Sequence, residues 1–249
     1  MEIIYGINPL SEALRLEPCR LLSLSVAPGR MNQSLQAVLN LAEAKGIPVE
    51  FKEKREMDRL TGSGLHQGVV GFYPSFAYAD MDQIVRHRHP GFSYHLVLLL
   101  DGITDPQNLG ALIRTAHCHG ANGVILPEHR SAAVTAAVIK ASAGAALLTP
   151  TARVANLSRA MEDLKKQGFW IYGADIHAGQ DIHDMTCQGH VGLVMGSEGR
   201  GIRPLIRKQC DFLVSVPMFG KVDSLNVAVA AGIILNDIVR KRAKMEGVE

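Results

Sequence analysis

The sequence predicts an α/β protein in which a parallel sheet carries helices on both faces and a smaller α/β unit precedes it. From residue 95 onward, apolar segments of strand length alternate with helical patterns. Strands that are apolar throughout are typical of a parallel sheet covered on both faces. Residues 77–94 are polar and irregular, as a linker between domains often is. We therefore expect one domain over residues 1–76 and a second over residues 95–249.

The amino-terminal region predicts a small unit of short elements. Ile3 to Tyr5 has the composition of a strand. Asn8 followed by Pro9 predicts the cap and first position of a helix that ends near Arg15. The elements expected next are a strand over 21–26, a helix over 31–45, and strands over 49–51 and 69–73. The linker is expected to hold at most one short helix, and it contains His87, His89, Pro90 and Gly91.

The second region predicts alternating strands and helices. Its strands are expected over 96–100, 123–126, 169–174, 191–195 and 212–217. Its helices are expected over 109–119, 132–145, 156–167, 203–210 and 227–240. This alternation is the basis for expecting a parallel sheet.

Composition narrows the class of protein. With 249 residues, 47% hydrophobic and 20% charged, the chain can bury a sizeable core. A net charge of +2 is too small for a protein that grips nucleic acid by charge alone, so nucleic acid is permitted as a partner but not required. The sequence shows neither a signal peptide nor an apolar run near the ~20 residues of a membrane span. The cysteines lack C-x-x-C spacing, which predicts a reduced, cytoplasmic protein without zinc or a disulfide framework: Cys19, Cys118, Cys187 and Cys210.

Polar residues follow three of the predicted strands. Asn108 and Arg114 come after the first strand of the second region, and Glu198 lies in a Gly-rich loop after the strand over 191–195. After the last strand, Ser224 or Asp223 is expected to cap the final helix beside Asn226. Taken singly, an Asn is more often a helix cap, and an exposed Arg or Glu is usually solvated. Since carboxyl ends of parallel strands meet at one edge, the three loops together predict a glycine-lined ligand cleft.

Other motifs give weaker predictions. The spacing Gly196-x-x-Gly199-x-Gly201 fits neither the dinucleotide fingerprint nor a phosphate loop. His117-Cys-His119 lies on one helical turn where neighbours point apart, so no metal site is expected there. The acidic and histidine residues of 175–184 are expected to be solvated rather than metal ligands. Arg240-Lys-Arg-x-Lys244 is either a phosphate contact or a solvated helix end.

Three segments carry a resemblance to a known family. They are Asp105-Pro-Gln-Asn-Leu-Gly-Ala-Leu-Ile-Arg114, Leu193-Val-Met-Gly-Ser-Glu-Gly-Arg-Gly201, and Val216-Pro-Met218 followed by Ser224-Leu-Asn-Val-Ala-Val-Ala230. In this order they resemble the signature motifs of the SpoU branch of SPOUT RNA 2'-O-ribose methyltransferases. The amino-terminal region, with Tyr5-Gly-Ile-Asn-Pro9 and His66-Gln-Gly68, resembles the L30e-like substrate-binding domain of bacterial 23S rRNA guanosine-2'-O-methyltransferases.

The resemblance implies a fold, a cofactor and a reaction. It implies a trefoil-knotted second domain, which periodicity would not suggest because threaded chains are almost absent from proteins. It implies methyl transfer from S-adenosylmethionine to a guanosine 2'-hydroxyl in the peptidyl-transferase region of 23S rRNA. The sulfonium methyl is already activated, so the reaction needs no metal to create an electrophile.

The resemblance also implies which residues act. The cofactor is expected to contact, largely through backbone groups, Gly196, Gly201, Val216, Met218 and Leu225. The residues that match catalytic or substrate-positioning positions are Asn108, Arg114, Glu198, Ser224 and Asn226. A guanidinium is a poor base because its pKa exceeds about 12, so Arg114 is expected to bind a phosphate and stabilise the developing alkoxide. Removal of the hydroxyl proton by Arg114 itself is the alternative left open.

Assembly and two alternatives complete the expectations. The family implies a homodimer, and an apolar face of the final helix could form its interface or belong to the core: Val227, Val229, Ile233, Ile234 and Ile238. A related tRNA ribose methyltransferase is the nearest alternative, and the L30e-like domain argues against it. The other is an RNA-binding protein that no longer methylates, against which the intact Asn108, Arg114 and Glu198 argue.

Overall fold

The computed structural model describes residues 1–29, 31–87, 91–222 and 224–247. Contacts divide the chain into two compact units. The first contains Met1–Ala77 together with Val134–Leu148, and the second contains Tyr78–Ala133 and the residues from Thr149 onward. The predicted division placed 134–148 in the second domain, whereas the contacts group this segment with the first unit.

The first unit is built on a four-stranded sheet in the order β1-β4-β2-β3. The strands are β1 (Glu2–Tyr5), β2 (Ser23–Val26), β3 (Val49–Phe51) and β4 (Val69–Tyr73). The helices are α1 (Ile7–Arg15), α2 (Gln33–Ala44), α3 (Lys54–Thr61), α6 (Ala136–Ala141) and α7 (Ala145–Leu148). Strand β4 runs antiparallel to β1 and β2, while β2 and β3 are parallel.

Two helix predictions in this unit were wrong in detail. Asn8 does not cap α1, which begins at Ile7. The backbone N–H of Ile7 donates instead to the side-chain oxygen of Gln67 at 3.0 Å, so a residue distant in sequence satisfies this helix end. The helix expected over 132–145 is split into α6 and α7 by Ala143 and Gly144, which both have positive φ.

The second unit is a seven-stranded sheet in the order β7-β6-β5-β10-β8-β11-β9. Its strands are β5 (Leu96–Asp101), β6 (Gly123–Pro127), β7 (Thr151–Val154), β8 (Phe169–Ala174), β9 (Gln180–Asp181), β10 (His190–Gly196) and β11 (Phe212–Ser215). Every pairing between these strands is parallel, which confirms the predicted sheet. Strands β7 and β9 were not predicted.

Helices complete the second unit. They are α4 (Met81–Arg86), α5 (Pro106–Cys118), α8 (Leu157–Lys166), α9 (Pro204–Gln209) and α10 (Val227–Glu246). One core cluster packs α4, α8 and α9 against the central strands through residues such as Ile84, Met161 and Ile206. Helices α5 and α10 pack against each other. None of the helices in the described part of the chain combines the length and apolarity that a membrane crossing requires.

The predicted linker contains the expected short helix, α4, yet part of the segment packs into the second unit. Asp80 and Gln83 form a capping box at the start of α4, and Ile84 is fully buried. Ala79 forms an isolated parallel bridge with Ala152 of the edge strand β7. His89 and Pro90 lie outside the described residues.

Candidate active site

A cavity of about 470 Å³ opens beside the carboxyl ends of β8, β10 and β11. A volume of this size is typical of a small-molecule site. The loop from β10 to α9 forms one wall, and the segment between β11 and α10 forms another. The expectation that polar strand ends surround one cleft therefore holds for the second and third motifs.

All five residues predicted to contact the cofactor line this one cavity: Gly196, Gly201, Val216, Met218 and Leu225. Glu198 and Ser224 line it too. Asn108, Arg114 and Asn226 are not among the lining residues. The roles of all ten residues stay predictions, but the sheet order places seven of them on one cavity.

Glycines give the β10–α9 loop its shape. A Cβ on Gly196 would lie 2.1 Å from the carbonyl carbon of Gly201, so the chain can fold back on itself only with glycine here. Gly199 and Gly201 have φ of +78° and +64°, in the left-handed region that favours glycine. A Cβ on Gly201 would meet no protein atom within 4 Å. The backbone is therefore open to close approach by a ligand.

Asn226 joins the first and second motifs. Its side-chain amide donates to Oδ1 of Asn108 at 2.9 Å and to Oε1 of Glu198 at 2.7 Å. Its side-chain oxygen accepts from the backbone N–H groups of Ala228 and Val229 at 3.0 and 3.3 Å. An asparagine amide has two donor hydrogens and an oxygen with two lone pairs, so protein groups occupy all four positions. Asn226 is thus a hub that aligns Asn108 with Glu198.

The cap of α10 is Asn226 itself, and the expectation that Ser224 or Asp223 would cap this helix was wrong for Ser224. Asp223 lies outside the described residues. Glu198 also accepts from the backbone N–H of Val227 at 3.4 Å. Glu198 therefore lies at the amino end of α10, whose partial positive charge attracts an acidic side chain.

Arg114 lies apart from this network. It is exposed on α5, and its side chain makes no hydrogen bond or ion pair with any other residue that the structure describes. The structure brings together Asn108, Glu198 and Asn226, with Ser224 on the cavity wall, and leaves the Arg114 guanidinium accessible.

Known protein families match both regions of the chain. A family model described as the SpoU rRNA Methylase family matches residues 95–236. A second model, for RNA 2'-O ribose methyltransferase substrate binding, matches residues 3–79. This chain belongs to the SpoU rRNA methylase family.

Relatives and solved structures of the SpoU family match nearly the full length. The 23S rRNA (guanosine-2'-O-)-methyltransferase RlmB of Pseudomonas putida is 41% identical over 246 residues, covering 97% of each chain. The SpoU methyltransferase AviRb from Streptomyces viridochromogenes, solved in complex with the cofactor AdoMet, is 25% identical with a TM-score of 0.78 and covers 97% of this chain and 90% of its own. An AdoMet-bound rRNA methyltransferase from Sinorhizobium meliloti has a TM-score of 0.76 at 25% identity and covers 96% and 87%.

The side chains that line the cavity suit S-adenosylmethionine. Apolar side chains that can enclose a flat base include Met195, Val214, Val216, Met218 and Leu225. The Glu198 and Asp175 carboxylates also line the cavity, and each can attract a cationic ligand group. Together with the open glycine backbone, these residues could hold the cofactor.

Sequence reasoning missed a polar wall of this SpoU cavity. Asp175, which was expected to be solvated, has a side chain only 13% exposed and pairs with Nε of Arg207. It also accepts from the backbone N–H of His177 at 2.8 Å. Burial raises the pKa of the Asp175 carboxyl, but Arg207 and the His177 N–H together outweigh burial and hold that pKa below its ordinary value. The position of Asp175 directly after the buried strand β8 was the signal that could have found it.

The remaining polar clusters have structural partners. His119 Nδ1 lies 2.8 Å from the carbonyl oxygen of Thr115, and His117 Nδ1 lies 3.2 Å from Thr149 Oγ1. Within the described ranges, no group of three or more His, Cys, Asp or Glu residues is arranged to hold a metal ion. Arg242, predicted to contact phosphate or solvent, is 1% exposed and was misread in both alternatives.

Proposed function

We propose that this chain transfers a methyl group from S-adenosylmethionine to the ribose 2'-hydroxyl of a guanosine in the peptidyl-transferase region of 23S rRNA. The observation that carries the proposal is the hydrogen-bonded set of Asn108, Glu198 and Asn226 beside a cavity lined by all five expected cofactor residues. Family membership and the named activity of a full-length relative support the same reaction.

The proposed site residues have two roles: the hydrogen-bonded set aligns the substrate, and Arg114 provides positive charge. Asn226 holds Asn108 and Glu198 through its amide, which leaves the remaining hydrogen-bonding atoms of those two residues for the nucleotide. Ser224 lies on the cavity wall, where its hydroxyl can bond to the nucleotide or the loop. Alignment of this kind contributes to catalysis by presenting the ribose hydroxyl in line with the methyl group.

Arg114 supplies the positive charge. A guanidinium stays protonated at neutral pH, so it acts as a phosphate ligand and stabilises the alkoxide that develops on the ribose rather than removing the proton. Its exposure and its lack of a described protein partner leave the fork free for RNA. The cofactor supplies an activated methyl group on its sulfonium when bound.

The amino-terminal unit favours rRNA over tRNA as substrate. Residues 3–79 match the substrate-binding model, and the identity with the relative that acts on 23S rRNA extends over 97% of the chain. A substrate of this kind implies work in the cytoplasm, where ribosomal RNA is assembled.

The decisive experiment transfers labelled methyl groups from S-adenosylmethionine to unmodified 23S rRNA and, separately, to tRNA. The product is mapped by its resistance to alkaline cleavage, since a 2'-O-methyl group blocks attack by the ribose hydroxyl. Labelling of one guanosine in 23S rRNA is expected. Labelling of tRNA alone would support the alternative substrate, and cofactor binding without transfer to either RNA would support the non-catalytic alternative.

Arg114→Ala tests the assigned charge. The variant is expected to lower kcat by at least about 100-fold, since transition-state charge stabilisation by one group is typically worth that much. Its affinity for S-adenosylhomocysteine is expected to be unchanged because Arg114 does not line the cavity. Arg86→Ala, which removes an 81% exposed arginine from α4, serves as control and should keep full activity. Turnover of Arg114→Ala near the wild-type rate contradicts the role.

A homodimer is the proposed assembly. Val229 and Ile233 are 51% and 39% exposed on α10, one helical turn apart, whereas Val227, Ile234 and Ile238 belong to the core. An exposed apolar pair beside the active-site network suits a self-association face. Light scattering should give twice the 27.0 kDa chain mass. Ile233→Asp should shift the mass to 27.0 kDa while Met245→Asp, on the same helix, should not; a wild-type monomer at micromolar concentration contradicts the dimer.

The trefoil knot also stays a proposal. The segment leading into α10 lines the same cavity as the β10–α9 loop, and Asn226 contacts residues of both earlier motifs. The closeness of these segments supports a threaded chain. An experimental structure in which residues 212–227 pass outside the β10–α9 loop would contradict it.

A further inference from the structure

A buried carboxylate lies behind the β10–α9 loop. Asp101 is the last residue of β5 and pairs in register with Gly196, the last residue of β10. Its side chain is 0% exposed. It does not line the cavity, so the residues proposed so far for catalysis and cofactor binding do not account for it. A buried ionised group is costly unless charged or hydrogen-bonding partners surround it.

Arg203 makes two hydrogen bonds and one further ion-pair contact with this carboxylate. Its backbone N–H donates to Oδ2 at 2.8 Å, its Nε–H to Oδ1 at 2.7 Å, and its terminal guanidinium nitrogen lies 2.6 Å from Oδ1. A charge-assisted fork is among the stronger protein hydrogen bonds and fixes direction as well as distance. The backbone bond fixes the residue that precedes Pro204 at the start of α9.

These contacts close the loop at its far end. At the near end, Ser197 and Gly201 exchange backbone hydrogen bonds of 3.1 and 2.8 Å. Ile202, only 7% exposed, packs into the core cluster next to Arg203. Backbone hydrogen bonds therefore hold the beginning of the loop. The contact between Arg203 and Asp101 holds its end. Within it lie Glu198 and the backbone that lines the cavity.

We propose that Asp101 is a positioning residue for methyl transfer, which through Arg203 holds the β10–α9 loop at the width that receives the cofactor. This inference rests on the proposed function, since it takes S-adenosylmethionine as the ligand of the cavity. Without the ionic fork, the loop can shift while the strand pairing stays intact. Such a shift changes the shape of the cavity. The hydrogen bond between Asn226 and Glu198 is kept, because it does not depend on Asp101. Asp101 thus acts mainly on cofactor affinity rather than on the chemical step.

Asp101→Asn and Arg203→Lys test this role. Asp101→Asn keeps the shape and one acceptor but removes the charge, and Arg203→Lys keeps the charge and the backbone N–H but removes the fork. We expect the KM for S-adenosylmethionine to rise at least about 10-fold in Asp101→Asn and about 3-fold or more in Arg203→Lys. The kcat at saturating cofactor and the KM for RNA should change less than about 3-fold. A merely structural role would lower the active fraction, and therefore kcat, without raising this KM.

Asp211→Asn is the matched control. Asp211 also accepts a backbone N–H, that of Ile171 at 2.8 Å, and binds a cation, Lys165, at 2.6 Å. It precedes β11 at the amino end of that strand and does not line the cavity. Its variant loses the same chemistry at another place, so cofactor KM should stay at the wild-type value.

Titration with S-adenosylhomocysteine separates the possible failures. Wild-type protein that does not bind this probe contradicts the proposed function. Wild-type binding with unchanged probe affinity in Asp101→Asn and Arg203→Lys contradicts the role of Asp101 and leaves the function intact. If Asp101→Asn does not fold, Arg203→Lys decides alone, because it leaves the carboxylate and its backbone bond in place.

Discussion

At the scale of single residues, hydrogen-bond capacity decides which polar groups can meet a substrate. Asn226 was expected among the catalytic or substrate-positioning residues, but its side-chain amide is saturated by protein partners. Asn108 and Glu198 keep unused hydrogen-bonding atoms, so these two side chains are the ones left to contact the nucleotide. The sequence could place these residues at strand ends, whereas the direction of each hydrogen bond depends on packing that no pattern encodes.

Asn226→Asp separates alignment from capping. An aspartate still caps α10, but it cannot donate to Asn108 and it repels Glu198. We expect kcat to fall at least about 10-fold while stability changes by less than about 1 kcal/mol. Asn32→Asp makes the same change at the cap of α2, where the side chain accepts from Leu35, and should leave kcat unaltered. Equal kcat in the two variants would refute the alignment role.

At the scale of elements, the regular strands and the long helices were predictable and the short polar ones were not. Every residue of β5 is buried, which an uninterrupted apolar run indicates. In α3 only Met57 is buried, so no helical stripe can be read from its sequence. Strand β7 sits at the sheet edge with a mixed burial pattern, and its sequence Thr-Ala-Arg-Val has no apolar run to predict it. Tertiary contacts, rather than local preference, stabilise both elements.

The end of α10 is anchored by a buried arginine. Arg242 donates to the carbonyl oxygens of Tyr94, His95 and Gly189 at 3.2, 3.0 and 2.9 Å. Burial lowers the pKa of this guanidinium, yet an arginine remains cationic at neutral pH. The three carbonyls lie just before the first residues of β5 and β10, so one side chain joins the last helix to the central strands.

Arg242→Met is expected to lower the free energy of unfolding by about 2–4 kcal/mol, because it leaves buried carbonyl oxygens without donors. Arg240→Met removes a 66% exposed cation paired with Asp237 and should cost less than about 1 kcal/mol. Urea denaturation followed by circular dichroism measures both. A loss in Arg242→Met no larger than in Arg240→Met would show that the anchor is dispensable.

At the scale of the whole molecule, burial sorts the four cysteines into reactivity classes. Cys118 is exposed, whereas Cys187 is fully buried. Burial raises the pKa of the Cys187 thiol, and it raises that of Cys210 to about 12. The sequence predicted reduced cysteines from their spacing, but the ranking among them follows only from the fold.

Alkylation with iodoacetamide near pH 8 should therefore label the exposed Cys118 first. Since the thiolate is the nucleophile, Cys210 should react on the order of 10³-fold more slowly. Peptide mass spectrometry at timed intervals measures both rates. Unfolding in urea should abolish the difference, and comparable rates in the native protein would contradict the burial of Cys210.

The grouping of α6 and α7 with the amino-terminal residues limits how nature or an engineer can recombine this chain. A Cβ on Gly144 would lie only 3.0 Å from the Glu12 side chain and 3.1 Å from Cα of Pro9 in α1, and Val138 and Ile139 are fully buried. Transplanting residues 1–77 from a relative would confront the resident 134–148 segment with a foreign surface. A working chimera must exchange both stretches together, so the first compact unit is transplanted in two pieces rather than one.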